Sequence, residues 1–199
     1  LDELRRVKEE KGPLTAGVEV PTITPKAMVH LGWRGARLED RDDSARLLFA
    51  SRLLSSRLHR VVREERGLTY SLACAAQPSI EYPAMGKFLC QFTADPAKVE
   101  EAAALARKLI EGVFGEPPTD AEMETVHRQL ANDVAARMLT PEFWAQTLSD
   151  LDSRGQTIEH MKRLKEHYAA IGRKDLLETL KRYLVDERYF QVIGTPRKR

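Results

Sequence analysis

The order of β-rich and helical segments limits the folds open to this chain more than any other feature. Two β-rich runs, 14–20 and 26–34, come first, and after one helical segment a further pair follows at 68–75 and 87–93. Helical segments then fill the second half before a closing β-rich run at 188–193. Strands and helices do not alternate as in a parallel βαβ series. The order therefore predicts an α+β fold with a mostly antiparallel sheet and helices packed on one side.

Apolar spacing and capping residues predict where the helices lie. Leucines and valines recur every three, four or seven residues across 42–63, with arginines between them, which indicates an amphipathic helix. Asp95 and Pro96 predict the N-cap and first position of the next helix. Thr119 and Glu122 form the pattern of a capping box, which predicts the start of a third.

Further helices are expected in the second half of the chain, after Thr140-Pro141 and again at 157–171 and 174–184. Residues 1–13 are charged and end in Gly-Pro, which is typical of a lead-in or linker. We expect 14–199 to form a single domain.

Composition excludes several classes of protein. The chain of 199 residues is 42% apolar and 31% charged, as in a globular domain. Its formal net charge of +2 is too balanced for a protein whose main task is to neutralise phosphates, so nucleic acid is not an expected partner. Apolar runs stay short of the roughly 18 to 20 residues that cross a bilayer, so no membrane span is expected.

Histidine spacing argues against a zinc centre in this chain. None of the five histidines has a second histidine four positions further on, so neither HExxH nor HxxEH occurs. His160 and His167 are seven apart and could form a weak surface metal site, but a solvated helix face is the favoured interpretation. We expect no catalytic residue and no metal ligand in the chain.

Two cysteines, Cys74 and Cys90, fall on the apolar sides of the two strands predicted at 68–75 and 87–93. A turn centred near Tyr82 would place them directly opposite each other. We expect them to be close in space and to favour free thiols, because directly opposed strand pairs often have poor disulfide geometry.

The segment 56–71, SRLHRVVREERGLTYS, contains the candidate functional residues. Arg63 lies at the end of the predicted helix, and Gly67 stops that helix. Tyr70 follows among the first residues of a predicted strand. A guanidinium and a phenol at one corner would be two donors suited to peptide carbonyl oxygens. On these residues alone, a structural role is favoured, with Arg63 paired to a local carboxylate and Tyr70 packed in the core.

The same segment resembles a signature of the pitrilysin/insulinase family of zinc metallopeptidases, found in the C-terminal half of its members. The resemblance rests on Leu58, Arg63-Glu64, Gly67-Leu68 and Tyr70-Ser71. It extends through the order of elements from about Leu14 to Ile193, and the stretches PPTDAEMETV and RKDLLETLKRYLVDERYFQVIG also look like that family. Members of the family are built from paired homologous α+β domains, with HxxEH in the first half.

The resemblance implies a non-catalytic, substrate-binding C-terminal domain of a zinc metalloendopeptidase. Arg63 and Tyr70 would bind the peptide substrate, and Gly67 would be the turn that positions Tyr70. Zinc would be held by a half that is not present here, so this chain should be inactive alone. Its partner would be the N-terminal zinc half of the same protein or a homologous subunit, and bacterial relatives suggest a periplasmic location.

A second function stays open. Core proteins of respiratory complexes resemble this family, so the chain could instead be a structural or assembly subunit without proteolytic activity. The presence of both Arg63 and Tyr70 favours the peptidase.

Overall fold

The computed structural model describes residues 3–8, 10–37, 39–79, 82–152 and 154–197, without the side chains of Tyr70, Pro83 and Asp150. All of its strands except the first carry alternating apolar positions, which bury one face of the sheet. The strands are β1 Leu14–Val20, β2 Ala27–Arg34, β3 Thr69–Gln77, β4 Lys87–Ala94 and β5 Tyr189–Pro196.

The strands form one mixed sheet in the order β1-β5-β2-β4-β3. Strand β1 runs parallel to β5, and every other neighbouring pair is antiparallel. The two strands predicted at 68–75 and 87–93 pair as expected, with Cys74 opposite Cys90. The sheet is therefore mostly antiparallel, as predicted, and β3 lies at one edge.

The helices follow the predicted order with shifted boundaries. In the described part of the chain they are α1 Arg41–Leu58, α2 Val99–Glu111, α3 Asp120–Met138, α4 Pro141–Asp150, α5 Ile158–Lys162, α6 Leu164–Ala169 and α7 Arg173–Tyr183. The Thr119 side chain and Glu122 form the expected capping box at α3. None of these helices has both the length and the apolar character that a bilayer span requires.

Three helix boundaries differ from the prediction. The segment predicted as one helix to Arg63 changes after Leu58 into a π-helix, His59–Glu65. Asp95 is not an N-cap, because its carboxylate accepts a hydrogen bond from the Ala97 N–H at 2.8 Å and forms a turn before α2. The helix predicted at 157–171 is broken at Arg163, where φ is −101° and ψ is 13°.

The core lies between one face of the sheet and the helices. Helix α1 packs against β3, and α2 packs against β2. The indole of Trp33 is fully buried between Tyr189 and Phe88, with ring centroids 5.2 Å and 6.4 Å away. Burial of such aromatic rings contributes much of the stability of a domain this size. The predicted packing of helices on one side is confirmed.

The opposite face of the sheet carries no helix in the described part of the chain, and we call it the open face. Val18, Val20, Met28 and Val192 are exposed there. They surround a groove of about 480 Å³ whose lining is mainly apolar. The open face therefore exposes apolar side chains around one groove.

Candidate functional site

Arg63 lies on the last turn of the π-helix, at the point where the chain leaves the helical layer for the sheet. The N–H of Arg66 donates to the Val61 carbonyl at 3.1 Å, a bond over five residues that defines the π-helical turn. Buried Val62 fixes the inner side of this turn, whereas Arg63 is exposed. The turn therefore presents the guanidinium to solvent.

Gly67 ends the helical segment in a left-handed conformation, with φ +60°. Its N–H donates to the Arg63 carbonyl at 3.1 Å, and the next N–H, of Leu68, donates to the Val62 carbonyl at 3.0 Å. A Cβ at Gly67 would meet no atom within 4 Å, so the constraint on this position is conformational and not steric crowding. Gly67 is thus the turn that the sequence predicted.

Tyr70 occupies a β-bulge at the start of β3. The register with β4 shifts between Thr69, which is opposite Ala94, and Ser71, which is opposite Thr93. The extra residue in such a bulge is unpaired and locally bends its strand. The backbone of Tyr70 therefore lies within one short turn of the Gly67 corner.

The side chain of Thr69 holds this bulge in place. It is buried, and its hydroxyl lies 3.0 Å from the Ser71 carbonyl oxygen and 2.9 Å from the Thr93 carbonyl oxygen. One hydroxyl therefore bridges both strands across the bulged residue. The sequence analysis did not identify Thr69, because its role depends on the register with β4.

A depression of about 330 Å³ lies on the open face beside the bulge. Ser71 and Ala73 of β3 line one side, and Gln91 and Thr93 of β4 line the other. Met28 and Thr93 also line the larger groove, so the two depressions adjoin. A peptide that reaches the bulge would find a continuous, weakly polar surface next to it.

The structure places Arg63 and the backbone of Tyr70 at the same corner, joined by Gly67. The Tyr70 side chain lies outside the described residues, so convergence of the two side chains stays a prediction. Arg63 forms no ion pair or hydrogen bond with any side chain that the structure describes, unlike Arg57 or Arg107. The expected local carboxylate partner of Arg63 is therefore not found among the described residues.

Among the described residues, the two neighbouring histidines do not complete a zinc site. The rings of His160 and His167 are 5.5 Å apart, and His167 Nε2 lies 3.7 Å from an Asp42 carboxylate oxygen. Burial, Arg41 and His167 lower the pKa of His160. Within the described ranges, no group of three or more His, Cys, Asp or Glu side chains could hold a metal ion. No zinc chemistry is therefore derived from this chain.

The sequence model of the family described as "Peptidase M16 inactive domain" matches residues 3–130. The chain belongs to this family of peptidase domains. That assignment agrees with the resemblance to the C-terminal half of the pitrilysin family. No curated protein matches the chain in sequence.

Solved structures share the fold over nearly the whole chain. A peptidase M16 inactive domain from Pseudomonas fluorescens is similar with a TM-score of 0.80 and 18% identity, over 95% of this chain and 45% of that chain. The periplasmic protease PqqL from Escherichia coli gives 0.72 and 16%, over 92% and 21%. Complex III2 from Candida albicans gives 0.74 and 14%, over 92% and 46%. This chain thus spans less than half the length of each of these three chains.

Proposed function

We propose that this chain is a substrate-binding, non-catalytic domain of a pitrilysin-like zinc metalloendopeptidase. Arg63 and Tyr70 donate hydrogen bonds to the main chain of a peptide, and Gly67 positions Tyr70. The observation that carries the proposal is the exposed Arg63 guanidinium beside the Tyr70 bulge, on a chain that belongs to the M16 inactive-domain family.

The chemistry of the two side chains supports this role. A guanidinium offers five N–H donors in a planar fork and stays charged at any physiological pH. A phenol adds one donor at the far end of a rigid aromatic ring. Both would hold carbonyl oxygens without reading the side chains of the peptide, so we expect broad recognition of extended peptides.

The exposed apolar residues of the open face support the proposal that a companion half is the partner of this domain. Its exposed valines and Met28 form an apolar surface that an attached domain or homologous subunit would cover. The three chains of similar structure named above are more than twice as long as the part that this chain matches. We assign zinc binding and hydrolysis to that companion. Residues 14–199 would form one domain after a lead-in. We place the whole protein in the periplasm, because the similar protease PqqL is named as periplasmic.

A structural role is the second candidate. The likeness to a chain of Complex III2 from Candida albicans supports this alternative. In that case Arg63 and Tyr70 would stabilise the corner and contact no substrate.

Peptide hydrolysis by the full-length protein separates the two functions. We expect Tyr70→Phe to lower kcat/KM by a factor corresponding to about 2 to 4 kcal/mol, by analogy with the loss of one oxyanion donor, while the thermal midpoint stays unchanged. Arg63→Ala should act similarly. The double variant should lose less than the sum of the two single losses, because the residues act on one peptide.

Arg66→Ala is the matched control, since Arg66 is also exposed, lies three residues from Arg63 and is outside the family signature. It should leave kcat/KM unchanged. Unaltered kcat/KM in all Arg63 and Tyr70 variants would refute substrate binding. A lowered midpoint with normal activity per folded molecule would support the structural role.

A further inference from the structure

Cys74 and Cys90 face each other across β3 and β4 in the register position where side chains approach most closely. The N–H of Cys74 donates to the Ser55 hydroxyl of α1 at 2.8 Å, and that hydroxyl lies 3.4 Å from the Cys74 carbonyl oxygen. The polar main-chain groups of Cys74 therefore point away from β4. This makes Cys74 and Cys90 a non-hydrogen-bonded pair, in which the Cα atoms are about 4.5 Å apart.

That spacing falls within the range that a disulfide bridges, about 4.4 to 6.8 Å between Cα atoms. Both cysteines are buried and free. The neighbouring Cys74 thiol and burial raise the pKa of the Cys90 thiol. Cys90 is completely inaccessible, whereas Cys74, on the edge strand, keeps 8% of its surface exposed.

We propose that Cys74 and Cys90 form a reversible oxidation site, at which a small peroxide joins them in an intramolecular disulfide. Cys74 is the sulfur that the oxidant reaches, and Cys90 is the resolving thiol. This site is independent of the role proposed for Arg63 and Tyr70.

The reaction balances with hydrogen peroxide as the oxidant. The Cys74 sulfur attacks one peroxide oxygen, the O–O bond breaks, and the proton of Cys74 leaves with the released hydroxide as water. The resulting sulfenic acid is attacked by the Cys90 sulfur. The S–S bond forms, the S–O bond breaks, and the proton of Cys90 leaves with the hydroxyl group as a second water. Two thiols are oxidised and one peroxide is reduced to two waters.

The bond would link β3, the edge strand, covalently to β4 at a residue whose main chain is already hydrogen-bonded to α1. Ser55 already satisfies the outward-facing groups of Cys74, and the disulfide would secure the same residue from the inner side. Because Cys74 lies on the same strand as the Tyr70 bulge, oxidation would restrict opening of the strand at that end of the sheet.

Peptide mapping of the folded full-length protein tests the proposal. The protein is treated with hydrogen peroxide, unfolded, alkylated and digested with trypsin. Trypsin cleaves after Arg66, Lys87 and Lys98, which places Cys74 in peptide 67–87 and Cys90 in peptide 88–98. We expect these two peptides to be recovered cross-linked, two hydrogen atoms lighter than their sum, and to separate after dithiothreitol.

Single serine variants test the order of the two sulfurs. In Cys90→Ser, peroxide should leave a sulfenic acid on Cys74 that dimedone traps. In Cys74→Ser, Cys90 should remain an unmodified thiol. Recovery of both thiols as alkylated peptides after peroxide, oxygenation of the wild-type cysteines without a cross-link, or a bond between two different chains would each overturn the proposal.

Discussion

The guanidinium of Arg57 donates two hydrogen bonds to the carboxylate of Glu122, 2.7 Å from Nε to Oε1 and 2.8 Å from Nη2 to Oε2. The same guanidinium donates to the carbonyl oxygens of Glu116 and Pro117. Glu122 also accepts from the Thr119 N–H at 2.8 Å. One ion pair therefore ties α1 to the start of α3 and to the loop before it.

Glu122→Gln should lower the free energy of unfolding by about 1 to 2 kcal/mol, because a hydrogen-bonded charge pair is lost and the pair is partly exposed. The side chains of Arg57 and Glu122 are 15% and 30% exposed. Urea denaturation measures the change. Asp133→Asn is the matched control: it breaks the Arg52–Asp133 pair between the same two helices, which is 47% and 48% exposed, and should cost less than about 0.5 kcal/mol. Equal losses in both variants would contradict the prediction that the more buried ion pair contributes more to the free energy of unfolding.

Titration of the Glu122 carboxylate should contribute to the pH dependence of the protein's stability. Arg57 and the Thr119 N–H lower the pKa of Glu122 to about 2, against about 4.3 for an unfolded glutamate. A depressed folded pKa stabilises the protein above the unfolded value, and this contribution is lost as pH falls from about 4.3 to about 2. Glu122→Gln should therefore lose less stability than the wild type between pH 5 and pH 2. Parallel curves for the two proteins in acid denaturation would show that the pair does not contribute.

Gly67→Ala should destabilise the protein by about 1 to 2 kcal/mol, since a left-handed φ of +60° is unfavourable for a residue with a Cβ. Gly112→Ala provides the control. A Cβ there also meets nothing within 4 Å, but φ is −63°, so alanine should be neutral or stabilise by up to about 1 kcal/mol. Thermal unfolding of both variants checks the opposite signs, and two similar midpoints would refute the conformational explanation.

Thr69→Val should destabilise the bulge by about 1 to 3 kcal/mol, because it removes a buried hydroxyl that bridges two carbonyl oxygens. Thr69→Ser retains the hydroxyl and should recover most of the loss. If the bulge positions Tyr70 for substrate, kcat/KM of the full-length protein should fall in the valine variant and return in the serine variant. Equal stability in all three proteins would exclude a role for the hydroxyl.

The isolated chain should bind no zinc stoichiometrically, because its histidines lack a third ligand among the described residues. Elemental analysis after dialysis against a chelator checks this. A zinc content of one per chain that disappears in His160→Ala or His167→Ala would show a metal site at that pair.

Local patterns in the sequence predicted what depends on near neighbours. Thr119 and Glu122 identified the start of α3, and alternating apolar residues identified β3 and β4. Asp95-Pro96 misled the prediction because the same pair of residues also forms a turn, in which the carboxylate accepts from the Ala97 N–H. The Asp-Pro pattern alone does not distinguish an N-cap from this turn.

Features that depend on long-range contacts could not be predicted. Arg57 and Glu122 meet only after α1 and α3 pack together, and the bulge held by Thr69 exists only in register with β4. The π-helix could not be predicted either, because the spacing of Leu58, Val61 and Val62 suits an ordinary helix as well as a π-helical turn. The sequence therefore named Arg63, Gly67 and Tyr70 as candidates, whose role stays a prediction, but it did not predict the π-helical turn and the bulge on which they lie.

The position of β5 between β1 and β2 has a consequence for synthesis on the ribosome. Strand β1 emerges early, yet its only neighbour in the sheet is β5, which is translated after all seven described helices. Once β1 has been made, it therefore has no strand to pair with until β5 follows. Such delayed, non-local pairing slows folding and exposes the intermediate to aggregation until β5 has been made.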